Sequence, residues 1–273
     1  MSATEAHQVE QLVSQFQSIP VFLDNWLVAE LEHAKQKQDC HIFVGYLASP
    51  HKKVFAEKVD YIFELLLRHA SGECPRLRKK LTASTNQPEF ESALFELEVA
   101  CLLLQHGCGI KAEPLYPKKG PDFRITLLGE DVYIEAKKLQ PDAEEQQLWD
   151  TQHEWSRTIN LNNQEWNLYE RYLASNQFPD NGCHILAIDT SKRSHSAESL
   201  RHAWEYYCYN QKDGRSQHPI HALILCRREK LRHISWLHDL TVGASELENP
   251  YSPISSKVLD SIKDIFQRNH ERA

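Results

Sequence analysis

Apolar residues recur at helical spacing through residues 4 to 106, then give way after Gly120 to segments that alternate or run continuously apolar. Residues 4 to about 38 read as helical, with a break near Ser18-Ile19-Pro20; beyond it Phe22, Leu23, Trp26, Leu27 and Leu31 keep near one face. The short run His41 to Leu47 fits either a strand or a buried turn. Val54, Phe55, Val59, Ile62, Phe63, Leu66 and Leu67 mark a helix over His51 to His69. The next stretch, SGECPRLRKKLTASTNQP, is rich in turn formers and reads as a boundary, with a basic knot at Arg76, Arg78, Lys79 and Lys80. A strong helix is predicted over Pro88 to His106, closed by Gly107.

Strand signals follow. IKAEPLY suggests one, the turn Pro117-Lys118-Lys119-Gly120 follows it, and two alternating segments flank Leu128-Gly129-Glu130-Asp131. A long helical stretch is expected over Asp142 to Asn176. Its Trp149, Trp155, Trp166, Tyr169 and Tyr172 pack it onto the sheet or the N-terminal helices, or alternatively stack on unpaired bases. The strand HILAIDT, an aromatic helix over Ser196 to Asn210 and the strand IHALILC complete the pattern. Continuous apolar runs at Ile185 to Ile188 and Ala222 to Cys226 predict strands buried on both faces. The expected fold class is α/β, a mixed sheet flanked by helices and preceded by a mostly helical N-terminal region. The expected division is a helical region 1–85, a sheet-bearing core 86–230 and a helical C-terminal extension 231–273.

Composition narrows the classes. With 273 residues, 41% hydrophobic and 25% charged, the chain reads as a soluble globular protein with one core or a core and a smaller companion. The first twenty residues lack the apolar stretch of a signal peptide, and no apolar run is long enough to span a bilayer, so no membrane partner is expected. Seven cysteines without a CxxC argue against a disulfide framework or structural zinc site and favour a reducing cytoplasm. The histidines offer no HExxH, and Cys183-His184 reads as core rather than as ligands. The net charge of -7 opposes a stand-alone grip on duplex DNA, so basic groups must be local or a partner must supply them.

The chemistry concentrates in GPDFRITLLGEDVYIEAKKL. Asp122 falls early in one predicted strand, Glu135 and Lys137 late in the next, and residues two apart in a strand share a face. Two carboxylates and an ammonium therefore converge. Magnesium, with manganese as a substitute, favours such oxygen ligands, and the backbone carbonyl of Ala136 is a further candidate. Lys137 then stands where it orients an attacking water or stabilises developing charge in phosphodiester hydrolysis. The plainer alternatives are a turn role for Asp122 and a solvated edge-strand face for Glu135 and Lys137 beside Tyr133. Lys118, Lys119, Arg124 and Lys138 are candidate nucleic-acid contacts, with the Arg76–Lys80 knot and Lys192-Arg193 further options; each is otherwise an ordinary surface cation.

Pro121-Asp122 and Glu135-Ala136-Lys137 on adjacent strands, preceded by a helix carrying Phe95-Glu96, Val99-Ala100, Leu102-Leu103 and Gly107, resemble the PD-(D/E)xK superfamily of restriction-endonuclease-like nucleases. The helix matches the FE..VA.LL...G pattern of its Mrr-like branch. The resemblance spans about residues 88 to 228. It implies a restriction-endonuclease-like fold and a magnesium-dependent nuclease with Asp122, Glu135 and Lys137 as its catalytic set, and Glu96 reaching the same site. It further implies nucleic acid as partner, DNA favoured over RNA, and a role in restriction or anti-phage defence. The acidic charge adds a protein partner or homo-oligomer that controls access. The alternative is a catalytically silent binding or assembly module that keeps the fold; an all-helical scaffold conflicts with the strand signals.

Overall fold

A computed structural model describes residues 1–37, 39–139, 178–189, 197–211, 219–226, 229–230, 238–239, 246–251 and 254–267. The chain divides into two compact units, Met1–Ala112 with Lys230–Asp239, and Glu113–Glu229 with Leu240–Ala273.

The first unit is helical: α1 (Ala3–Val13), α2 (Ser18–Leu23), α3 (Asn25–Lys37), α4 (Ile42–Ala48), α5 (Lys52–His69), α6 (Cys74–Thr82) and α7 (Gln87–Gln105), then the two-residue β1 (Lys111–Ala112). Local chemistry sets the helix starts. Ser2 and Glu5 form a reciprocal capping box on α1. The break expected near Ser18 is real, and α2 begins there with Pro20 in its first turn, where a missing N–H is harmless. Its exposed donors are met from α5: Asp60 Oδ1 accepts the N–H groups of Ser18 and Ile19 at 2.7 and 3.0 Å. Asn86 caps α7 by accepting from Glu89 N–H at 3.0 Å, and Gly107, at φ 74°, ends it. Phe22 stacks on Phe63 at 4.0 Å between ring centroids, and Phe43, Phe55 and Phe90 extend the aromatic core.

Two segments of this unit differ from the sequence reading. His41 to Leu47 is neither strand nor turn but helix α4, whose Phe43, Val44 and Leu47 are fully buried at helical spacing. The expected boundary over residues 71–88 folds as α6, with Leu77 and Leu81 buried four apart. The basic knot on it is largely engaged internally. Arg76 donates to Ala112 O at 2.9 Å, Arg78 to Phe22 O at 3.1 Å, and Lys80 pairs with Glu96 at 2.7 Å. Helix α7 packs on α5, where the nearly inaccessible Glu98 meets Lys58 at 2.7 Å. The helical unit therefore runs past residue 85 to Ala112.

The second unit carries a mixed sheet with flanking helices, the α/β class expected. Its strands β2 (Phe123–Leu127), β3 (Glu130–Lys138), β4 (Cys183–Asp189), β5 (Ala222–Cys226) and β8 (Glu246–Glu248) lie in the order β2-β3-β4-β5-β8. Short strands β6 (Glu229–Lys230) and β7 (His238–Asp239), which apart from Glu229 belong to the first unit, pair with each other. Strands β2 and β3 form an antiparallel hairpin from Phe123↔Ile134 to Leu127↔Glu130. Leu128 and Gly129 turn it at φ 53° and 86°, the two positive values of a type I′ turn that matches strand twist. Pairings β3–β4 and β4–β5 are parallel, whereas β5–β8 is antiparallel. Every residue of β4 and β5 is buried, as their continuous apolar runs require.

Helix α8 (Ala197–Gln211) lies between β4 and β5 in the chain, and α9 (Ser256–Gln267) follows β8. Leu200, Ala203, Trp204, Tyr207 and Cys208 of α8 join Tyr133, Leu186, Ile188, Leu223 and Leu225 in one buried cluster. The Tyr207 hydroxyl accepts the Ile220 N–H at 2.8 Å. Two further readings change, and a third cannot be followed in the described residues. IKAEPLY supplies a strand only at Lys111–Ala112, and Glu113 at φ 45° breaks the extended path. The C-terminal extension contains strand β8 as well as a helix. The long helix expected over 142–176 with its aromatic residues, and Lys192-Arg193, lie outside the described residues. All seven cysteines are free thiols, and among the described residues no helix is long and apolar enough to cross a membrane.

Candidate active site

The register of the β2–β3 hairpin places Asp122, one step beyond Phe123↔Ile134, level with Glu135. Facing residues of an antiparallel pair project to the same side, so Asp122, Glu135 and Lys137 share one face. Asp122 does more than make a turn: its Oδ2 accepts the Ala136 N–H at 2.9 Å, tying the carboxylate to the strand between Glu135 and Lys137. The ladder places the donor of this bond. Pro121 stands level with Ala136, and the alternation of the ladder turns the Ala136 N–H and C=O toward β2. Proline has no N–H to give that carbonyl, which leaves it aimed at the edge where Asp122 sits.

The Glu135 and Lys137 side chains are 17% and 19% exposed, with Nζ 3.9 Å from Oε1. They do not form the solvated face of an edge strand. Strand β3 is paired on both sides, to β2 and β4, and Tyr133 on the same face is buried in the cluster under α8. Burial pulls the Lys137 ammonium below the ordinary lysine range; the carboxylates of Glu135 and then Asp122 oppose the shift, and the cation of Lys119 adds to it. The four groups thus act on one another electrostatically.

The remaining candidates divide. Lys118 and Lys119 are exposed on the loop that delivers Asp122. Arg124 lies further along β2, toward the hairpin turn, with Nη1 3.7 Å from Asp131 Oδ2, so part of its charge is already answered. Lys138 is not a nucleic-acid contact. It projects from the opposite face, is 5% exposed, and meets the inaccessible Asp189 at 3.3 Å. The parity of strand positions separates it from Lys137, and that signal was present in the sequence. Glu96 lies on α7 in the helical unit, where Lys80 holds its carboxylate.

Cys183 and His184 are core residues, as expected. The His184 ring stacks on Phe178 at 4.6 Å, and its backbone N–H donates to His221 Nδ1 at 3.0 Å. Burial lowers the His221 pKa to about 4, and neighbouring His184 adds to the shift. No group of three or more His, Cys, Asp or Glu side chains is arranged to share a metal among the described residues. Two carboxylates with one strand carbonyl form a different donor set, all hard oxygens, of the kind that suits a magnesium ion retaining several waters. Searches of protein-family models, curated proteins and solved structures returned no match to this chain.

Proposed function

We propose that the second unit is a magnesium-dependent nuclease of the PD-(D/E)xK type on a restriction-endonuclease-like fold. The observation that carries the reading is the Asp122 carboxylate locked by the Ala136 N–H on the face that holds Glu135 and the half-buried Lys137. The antiparallel β2–β3 hairpin continued by parallel β4 and β5 supports the fold assignment.

Asp122, Glu135 and the Ala136 carbonyl would hold the magnesium ion, with manganese able to replace it. When bound, that ion polarises a scissile phosphate and lowers the pKa of a coordinated water. The protein groups have their own tasks. The Ala136 N–H fixes the orientation of Asp122 before substrate arrives. Lys137, desolvated and already oriented by its carboxylate neighbours, donates to the phosphate oxygen on which charge develops, with little reorganisation at that moment. Lys118 and Lys119 neutralise phosphates on the approach to Asp122.

The chain remains acidic, with a net charge of -7, and Arg76, Arg78 and Lys80 are engaged within the helical unit. A protein partner or self-association therefore supplies or controls nucleic-acid access, consistent with an effector in restriction or anti-phage defence, DNA favoured over RNA. The same two observations favour the second reading, a catalytically silent assembly module. Incubating the purified chain with plasmid, linear duplex, single-stranded DNA and RNA, in magnesium, manganese or EDTA, separates them. Cleavage in either metal and none in EDTA supports the nuclease; no cleavage of any substrate, with or without candidate partners, supports the module.

A further inference from the structure

The loop that joins Glu113 to Asp122 has a construction that its role as a connection does not require. Its ends are closed by the Glu113 N–H donating to Asp122 O at 2.8 Å. Inside it, the Tyr116 N–H donates to Glu113 O at 3.0 Å and the Lys118 N–H to Leu115 O at 2.9 Å. Gly120 lies so close beneath Leu115 that a Cβ there would come within 2.7 Å of Leu115 Cδ1. This braced tip presents Tyr116 at 62% exposure beside the exposed Lys118 and Lys119. Lys119 is near enough to the site for its charge to act on Lys137.

An exposed aromatic ring flanked by cations, on backbone already ordered, is the chemistry that receives an unpaired nucleic-acid strand: the ring stacks on a base and the ammonium groups take the adjacent phosphates. Bases inside a duplex are stacked on one another and offer no free face to such a ring. We propose, building on the nuclease reading above, that this loop is a clamp for an unpaired strand. Tyr116 stacks on one base near the scissile phosphate, while Lys118 and Lys119 contact its flanking phosphates. The preferred substrate is then single-stranded, frayed or flapped rather than continuous duplex.

Binding is measured on the full chain in EDTA, so that no cleavage is needed, by anisotropy of a labelled oligothymidylate and of a labelled blunt hairpin duplex. Wild type binds the single strand more tightly. Tyr116→Ala weakens single-strand binding by about 5- to 150-fold, the range one base–aromatic stack spans, and leaves duplex binding unchanged. Tyr116→Phe keeps the wild-type value, because the ring and not the hydroxyl makes the stack. Lys118→Ala with Lys119→Ala weakens both ligands and lowers the salt slope by roughly 1.5. The ring is largely exposed, so the unfolding midpoint of each variant stays at the wild-type value and reports that loss is not misfolding. Equal affinity for the two ligands, no binding to either, or equal loss on both with Tyr116→Ala would overturn the clamp. Single-strand selectivity that depends on Tyr116, with no cleavage in magnesium either with or without candidate partners, leaves the clamp standing and removes the nuclease; cleavage without that selectivity does the reverse.

Discussion

Lys137 and Lys138 are neighbours in sequence, yet replacing each by methionine should have opposite consequences for stability. The Lys138 and Asp189 side chains are 3% and 0% exposed and lie 3.3 Å apart. Lys138→Met takes the cation from beside a fully buried carboxylate, and removing one partner of a buried pair costs about 3–5 kcal/mol, a large part of the roughly 5–15 kcal/mol that holds a typical domain. With a urea dependence of about 2–3 kcal/mol per molar, the midpoint falls by roughly 1–2 M. Adding Asp189→Leu replaces the pair by apolar volume and should recover most of the loss. Lys137 behaves differently because its pKa is lowered in the fold: burial disfavours its charge by more than Glu135 and Asp122 restore. Lys137→Met removes that desolvation cost and leaves the midpoint unchanged or slightly raised. Urea unfolding followed by circular dichroism measures all four proteins. A Lys138→Met midpoint at the wild-type value, or equal losses at the two lysines, would refute this reading of the strand's two faces.

Two further outcomes follow from the sheet. Gly182 precedes β4 at φ 89°, and a Cβ there would sit 2.7 Å from Tyr133 Cε2 and 2.8 Å from Asp131 O; Gly182→Ala should cost about 2 kcal/mol or more and lower the melting temperature measurably. His221 accepts the His184 N–H through Nδ1 in its neutral form, and its pKa is pushed down to about 4 in the fold. The unfolded chain takes up that proton near pH 6.5. Between these values the unfolded state binds more protons, so the contribution is complete above pH 6.5 and is lost as the pH falls toward 4. Allowing for partial exposure it amounts to about 2 kcal/mol, and His221→Asn, which keeps an acceptor that does not titrate there, should flatten the acid limb of stability by that amount. An unchanged limb contradicts it.

How much of this was legible in the sequence depends on what determines each element. The β2–β3 hairpin and the convergence of Asp122, Glu135 and Lys137 were, because a period of two and a Leu-Gly turn are local signals. So were β4 and β5, whose apolar runs exceed what a half-exposed strand carries. Helix α4 was not: Phe43, Val44 and Leu47 have helical spacing only over a single short run, and their aromatic neighbours on α5 and α7 decide the conformation. In α6 the weight of Pro75 and the basic residues hid a helix start and the Leu77–Leu81 pair. Strand β8 is three residues long and exists through its pairing with β5, a partner more than twenty residues away in the chain. The Ala136 N–H bond to Asp122, which gives the site its geometry, depends on how β2 and β3 pair and was visible only once the register was known.

The most direct measurement compares wild type, Lys137→Ala and Asp122→Asn in single-turnover cleavage of single-stranded and duplex DNA, with magnesium and with EDTA, after unfolding curves have shown all three folded. Asn keeps an oxygen for the Ala136 N–H but not the charge. A nuclease built on this site requires cleavage by wild type in magnesium alone and a loss of at least about 100-fold in each variant, the scale at which single electrostatic groups act in catalysis. Cleavage by Lys137→Ala at the wild-type rate, or activity that survives EDTA, would contradict it.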